Sequence, residues 1–315
     1  MSAKRIITVF GATGKQGGAV VKHFLNDPKL SSAWAVRGVT RDVSKESAKK
    51  LASQGAEVVS ADLNDKSSLV KAIAGSDTVF AVTNYWEKLD MELEEQQGRN
   101  IADAAKEVGV KHLIWSSLLD ITKLTNGKLS RIHHFDSKAH VEEYVRSLGI
   151  PATFFMPGFY MANVPGGMMS KRGENWVFSL PIAPSSPIPL YDTNDTGKYV
   201  KAIVENKDAL LGKRFLGASE YVSAQGVVDT FKTVFPEAGK TAAYYETAKD
   251  DFYSFMKGTG MPEFAIDEMY ENMVLMQDFG YFGGASLDES HGFVKEPLTS
   301  WADFIKNSPA FAGLK

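Results

Sequence analysis

Short apolar runs alternate with amphipathic stretches through the first half of the chain. Runs at residues 6–9, 33–40, 57–60, 78–82, 112–116 and 152–156 predict strands. Helical periodicity separates them. Val20, Val21, Phe24 and Leu25 share one face after the first run, and Ser44 is expected to cap a helix that ends near Gly55. Asp65 is expected to cap a helix through Ala74. Residues 91–108 read as a long helix stopped by Gly109, and 135–147 as one stopped by Gly149. Apolar strands connected by helices imply a parallel sheet covered on both faces, so the predicted fold is α/β, a Rossmann-type doubly wound sheet.

The rhythm breaks after Pro157. Residues 163–195 hold five prolines interrupted by Trp176, Val177 and Phe178, which predicts short strands and loops, not a flexible linker. Helices are expected over 196–206, 223–235 and 250–277, the last divided by Gly258, Gly260 and Pro262. The expected division is a nucleotide-binding unit at 1–156 and a smaller, mainly helical cap at 157–315, with some segments returning to the sheet. Methionines and aromatics crowd the cap, and the stretch from Met269 to Met276 is a candidate surface for a protein partner or a small hydrophobic substrate.

Composition narrows the chemistry. A hydrophobic content of 44% across 315 residues supports a full core. A net charge of −3 with no basic stripe argues against direct nucleic-acid binding. There are no cysteines, which removes disulfides, thiol nucleophiles and cysteine metal sites. His133 and His134 point about 100° apart on a helix and have no evident third ligand, so no metal site is expected. No apolar stretch is long enough to span a bilayer, and no secretion signal is evident. The expected location is the cytoplasm, with the nucleus open.

The candidate chemistry begins directly after the first strand, in Gly11-Ala12-Thr13-Gly14-Lys15-Gln16-Gly17-Gly18. The first glycine permits a tight turn, the second lets a pyrophosphate approach the backbone, and the third lets the helix pack on the strand. The helix N-terminus then offers free N–H groups to phosphates. At the end of the second strand Thr40 stands where an NAD-binding unit carries an acid, and Arg41 follows it. A guanidinium can grip a 2′-phosphate, so the expected cofactor is NADP(H). Asp42 works against this, and Arg37 is a weaker candidate for the same role. Thr83, Asn84 and Tyr85 follow the fourth strand, in a loop expected beside the pyrophosphate and nicotinamide ribose. Tyr85 and Trp86 either line the nicotinamide pocket or pack under the cap.

The glycine loop, Val39-Thr40-Arg41, Val82-Thr83-Asn84-Tyr85-Trp86-Glu87, His134-Phe135-Asp136-Ser137-Lys138 and Met156-Pro157-Gly158-Phe159-Tyr160-Met161-Ala162-Asn163 resemble the NmrA-like family of atypical short-chain dehydrogenases. The resemblance runs loosely on to Trp301. It implies an NADP(H)-binding Rossmann domain with a small C-terminal domain, in a family holding both redox-responsive regulators and genuine reductases. It also implies a 2′-phosphate contact at Arg41, an adenine flanked by Asp62 and Leu63, and a nicotinamide face lined by Pro157, Phe159, Tyr160 and Asn163. Asp62 reads equally well as a turn former.

Short-chain dehydrogenases pair a tyrosine with a lysine four residues later. Here Lys138 is present and His134 stands in the tyrosine position. Ser116, at the end of the fifth strand, matches a substrate-orienting serine. Two roles stay open. Lys138 is a ribose ligand in a cofactor-responsive regulator with little or no dehydrogenase activity, or His134 is the general acid of an NADPH-dependent reductase acting on a hydrophobic carbonyl, enone, imine or quinone.

Overall fold

The computed structural model describes residues 3–315. Seven parallel strands form the main sheet: β1 (Arg5–Val9), β2 (Trp34–Thr40), β3 (Glu57–Ser60), β4 (Thr78–Ala81), β5 (His112–Ser116), β6 (Ala152–Pro157) and β11 (Arg214–Gly217). Their spatial order is β11-β6-β5-β4-β1-β2-β3, so the winding reverses between β1 and β4. Two small sheets complete the molecule. One holds β7 (Phe159–Tyr160), β10 (Pro187–Tyr191) and β12 (Glu220–Ser223); the other holds β8 (Met169–Arg172), β9 (Asn175–Leu180) and β13 (Ala243–Glu246).

The helices before β7 are α1 (Lys15–Asn26), α2 (Pro28–Ala33), α3 (Glu46–Ser53), α4 (Lys66–Ile73), α5 (Met91–Val108), α6 (Ile121–Leu124) and α7 (His133–Ser147). After it come α8 (Thr196–Glu205), α9 (Lys207–Leu210), α10 (Ala224–Val234), α11 (Pro236–Gly239), α12 (Lys249–Gly258), α13 (Glu263–Asp278), α14 (Asp288–Phe293) and α15 (Trp301–Asn307). None of the described helices is long and apolar enough to cross a membrane.

The strands feed two cores because successive side chains alternate faces. Phe80, Ile114 and Phe155 join Val20, Val21 and Phe24 of α1 and Tyr199, Val200 and Ile203 of α8. Their neighbours Val79, Leu113, Trp115 and Phe154 pack with Leu69 of α4, Ile101 and Ala105 of α5, and Val141 and Val145 of α7. After Pro157 the chain returns to this layer twice, as α8 on α1 and as β11 on β6. The third core lies over the carboxyl end of the sheet and includes Met161, Phe178, Leu190, Phe231, Met276 and Trp301.

Two local readings need correction, and one helix is not among the expected elements. Ser44 does not cap α3. Its N–H and hydroxyl donate to Asp42 Oδ1 at 2.8 and 2.6 Å, and α3 begins after Lys45 without a side-chain cap. Residues 28–33 form α2, with Asp27 accepting from the Lys29 and Leu30 amides and Pro28 in the first turn. The stretch Met269 to Met276 is not a surface. Met273, Leu275 and Met276 are buried in the third core, because α13 packs on β10 and shares that core with Trp301 and Ile305 of α15.

His112 supplies a test of the main core. Burial, aided by repulsion from Lys207, pulls its imidazole down to about 4, while Nε2 bonds Thr153 Oγ1 at 2.9 Å. The unfolded chain therefore binds a proton near pH 6.5 that the folded chain refuses until about pH 4. The resulting stability is complete above pH 6.5 and is lost as pH falls toward 4, amounting to about 3 kcal/mol. Urea unfolding from pH 7 to 4 should show this slope in the wild type. The slope should shrink in His112→Gln, and an unchanged slope there would assign it to other groups.

Candidate functional site

The loops after β1 and β4 meet where the winding reverses, the place where open α/β sheets bind ligands. Gly11 adopts φ +61°, and its carbonyl accepts the Gly14 amide at 2.8 Å. A Cβ on Gly17 would stand 2.3 Å from that same carbonyl oxygen and 2.5 Å from the carbonyl of Phe10, so only glycine lets α1 start this close to β1. Gly14 caps α1 without a side-chain bond, and the first turn carries no acid. Ala12 is buried, whereas Thr13, Gly14 and Lys15 are exposed. A bare helix N-terminus of this kind suits an anion.

Gln16 links this loop to the sheet. It is buried, accepts from Ser116 Oγ at 2.9 Å and donates from Nε2 to the Tyr160 hydroxyl at 2.7 Å. Burial raises the Tyr160 phenol above its ordinary value, and the bond from Gln16 opposes the shift. Pro157 closes β6, Phe159 is buried in the third core, and Asn163 is exposed.

At the end of β2, Arg41 is exposed and forms a two-pronged bond with Glu87, at 2.6 and 3.2 Å. Arg37 points elsewhere, to Glu57 and to the carbonyls of Ala72 and Ala74. Asp62 forms a turn, accepting from the Asn64 amide and side chain, and Leu63 is half-buried beside it.

Thr83, Asn84 and Tyr85 diverge after β4. Asn84 is exposed. Tyr85 opens a short 3-10 turn, Tyr85–Glu87, and is buried under α13, donating its hydroxyl to Glu268 at 2.6 Å. Burial first and Glu268 second push this phenol far above its ordinary range. Trp86 stays 43% exposed. Thr83 donates to Glu94 Oε1 at 2.7 Å.

Glu94 is the hub that the sequence did not announce. It sits in the first turn of α5, 2% exposed, and accepts from Thr83, from Ser137 Oγ and from Lys138 Nζ at 2.5 Å. Burial would raise its carboxyl, but the Lys138 charge and the three donated bonds outweigh that and hold it low. The meeting depends on Gly98, one turn on, where a Cβ would lie 2.5 Å from Val141 of α7. That approach brings the first turns of α5 and α7 together. Each residue of Phe135-Asp136-Ser137-Lys138 then has a place. Phe135 is core, Asp136 accepts from the Ile121 amide at 2.6 Å and from Thr122, and Ser137 and Lys138 bind Glu94.

His134 lies one turn before Lys138. Its Nδ1 is 2.5 Å from Glu268 Oε1, which also accepts its backbone amide at 2.8 Å. Its ring lies 4.9 Å from that of Trp86, and Nε2 has no hydrogen-bond partner among the described residues. Elsewhere, His23, Asp27 and Glu296 cluster closely enough for a metal. The Lys201 ammonium already fills that space, 2.5 Å from Asp27 and 2.8 Å from Glu296, so the cluster is a salt-bridge network.

Comparison with known proteins places this architecture. An NmrA-like family domain-containing oxidoreductase of Malbranchea aurantiaca is 35% identical over 263 residues, covering 76% of this chain and 75% of its own. Among solved structures, NmrA, a negative transcriptional regulator, in complex with NADP superposes with a TM-score of 0.79 at 20% identity, covering 99% of this chain and 96% of its own. An NADPH-dependent quinone oxidoreductase of Escherichia coli complexed with NADPH superposes with a TM-score of 0.74 at 22% identity, covering 94% and 97%. The profile of the NmrA-like family matches residues 3–305, and the chain belongs to that family.

Proposed function

We propose that this chain binds NADP(H) between the loops after β1 and β4 and reduces an apolar, planar acceptor of the quinone or enone class. One observation carries this reading. The uncapped glycine turn follows β1 and Thr83 follows β4, at the carboxyl end of the sheet; Glu94 ties Thr83 to the Lys138 ammonium, and one turn away the His134 imidazole lies beside the exposed ring of Trp86. The start of α1 fits the cofactor, since Gly14 caps it without a side chain and its first-turn N–H groups are open to a diphosphate. Arg41 would hold the 2′-phosphate, with Lys138 and Thr83 nearest the ribose. The bound cofactor supplies a hydride. His134 holds a proton for the reduced product, and Trp86 offers a flat apolar wall. The oxidoreductase named among the relatives and the NADPH-bound quinone oxidoreductase support this reading.

The test is nicotinamide absorbance with NADPH and a panel of quinones, enones, aldehydes and imines. Turnover should appear and collapse in His134→Ala while NADPH binding persists. Equal turnover in the variant would remove His134 from the chemistry.

Specificity for the phosphorylated cofactor rests on Arg41, which must exchange Glu87 for phosphate. Arg41→Ala should weaken NADP by roughly 1.5–3 kcal/mol and leave NAD little changed. Glu87→Gln should tighten NADP by up to about 1 kcal/mol, because the competing pair is exposed. Calorimetric titration with both nucleotides measures these effects. Parallel losses for NAD and NADP in Arg41→Ala would move the phosphate elsewhere.

A second reading, a cofactor-responsive regulator, is favoured by the turn Tyr85–Glu87. One end binds Arg41 and the other binds Glu268 on α13, so occupancy at Arg41 bears on the C-terminal layer. Absence of turnover with every acceptor, together with altered hydrogen exchange in α13 on adding NADPH, would favour it.

A further inference from the structure

Six carboxylates are buried among the described residues. Asp136 and Asp192 take only amide and hydroxyl donors, and of the four with a basic partner one is built differently. Glu94 pairs with Lys138, Glu142 with Arg146 and Arg214, and Asp195 with Lys198. Glu268 is fully buried, yet its only basic partner among the described residues is the imidazole of His134. The other two donors are the His134 amide and the Tyr85 hydroxyl. Arg131, three residues before His134, is held instead by Asp267 and Glu271 of α13. Glu94 and Asp90 add negative charge around Tyr85. A buried carboxylate is costly without a partner, so an arrangement whose partner is titratable suits a proton-handling site better than a structural clasp.

Resting on the reductase reading, we propose that Glu268 is a positioning residue that clamps His134 as the Nδ1–H tautomer and leaves Nε2 as the atom that exchanges a proton with substrate. The pieces come from far apart in the chain, α13 supplying the carboxylate and α7 the imidazole. Two bonds from one residue to one oxygen fix both the backbone and the ring of His134, and the Tyr85 bond fixes the other oxygen. The imidazolium gives its Nε2 proton to the substrate atom left basic by the incoming hydride. The neutral ring keeps its Nδ1 proton against Glu268, and solvent restores Nε2. Without the carboxylate, the neutral ring would also populate the Nε2–H tautomer, and neither the aim of Nε2 nor the imidazolium that donates from it would be held.

Ring-nitrogen NMR on the purified protein tests this without any turnover, with the His134 signals identified by their loss in His134→Asn. The neutral wild-type ring should be the Nδ1–H tautomer. In Glu268→Gln, whose amide can present N–H to Nδ1, the Nε2–H form should gain. In the same variant kcat should fall about tenfold or more with KM for NADPH unchanged. The double variant His134→Ala, Glu268→Gln should be no slower than His134→Ala alone. A wild-type ring in the Nε2–H form, or a tautomer that ignores Glu268→Gln, would overturn the clamp. A tautomer that responds while no acceptor is ever reduced would uphold the clamp and overturn the reductase reading.

Discussion

Replacing Lys138 with methionine should destabilise the fold by about 3–5 kcal/mol, because it strands the buried carboxylate of Glu94 without its cation. Thr83 and Ser137 would still donate to Glu94, but two neutral hydroxyls do not offset a full charge at a site 2% exposed. The double variant Glu94→Gln, Lys138→Met should recover much of the loss, since it removes both charges and keeps a hydrogen-bonding group. Urea unfolding at pH 7 decides the matter. A single variant as stable as wild type would mean that the ammonium serves only a ligand and that Glu94 is satisfied without it. The result also governs how Lys138 variants are read in activity assays, because lost turnover in an unfolded protein says nothing about the nicotinamide ribose.

The second large effect is expected at Gly17. An alanine there places its Cβ 2.3 Å from the Gly11 oxygen and 2.5 Å from the Phe10 oxygen. Both are backbone atoms, so no rotamer change relieves the clash, and α1 must move away from β1. Overpacking of this severity costs about 3 kcal/mol. The shift also pulls the first-turn amides of α1 out of register with the Gly11 turn. NADP affinity should therefore fall together with stability. Gly18→Ala is the control, since its Cβ would meet only the Ala12 carbonyl at 3.3 Å, a contact that a small adjustment relieves. Equal nucleotide affinity in Gly17→Ala and wild type would show that the turn is a packing device alone.

The regular alternation of the first 156 residues was legible because strand and helix periods differ and because glycine and aspartate punctuate them. Gly109 ends α5 at φ +71°, and Asp65 caps α4, as the pattern indicates. The Met-rich stretch misled because a periodic apolar face looks the same whether solvent or another layer covers it. Helix α2 escaped notice because six residues are too few for periodicity, although Asp27-Pro28 was the available signal.

Partner choice was the part hidden from the sequence. Arg41, Lys138 and His134 each read as a group awaiting a ligand. The fold gives them Glu87, Glu94 and Glu268, which lie 46, 44 and 134 residues away. The sequence alone determined the parallel sheet, the glycine turn and the four-residue spacing that sets His134 over Lys138, because these depend on local geometry and on burial patterns written within one element. The tertiary structure alone decided which charges neutralise one another. That depends on helices converging from distant parts of the chain, as α5 and α7 do at Gly98, and on the low dielectric of the buried space they enclose.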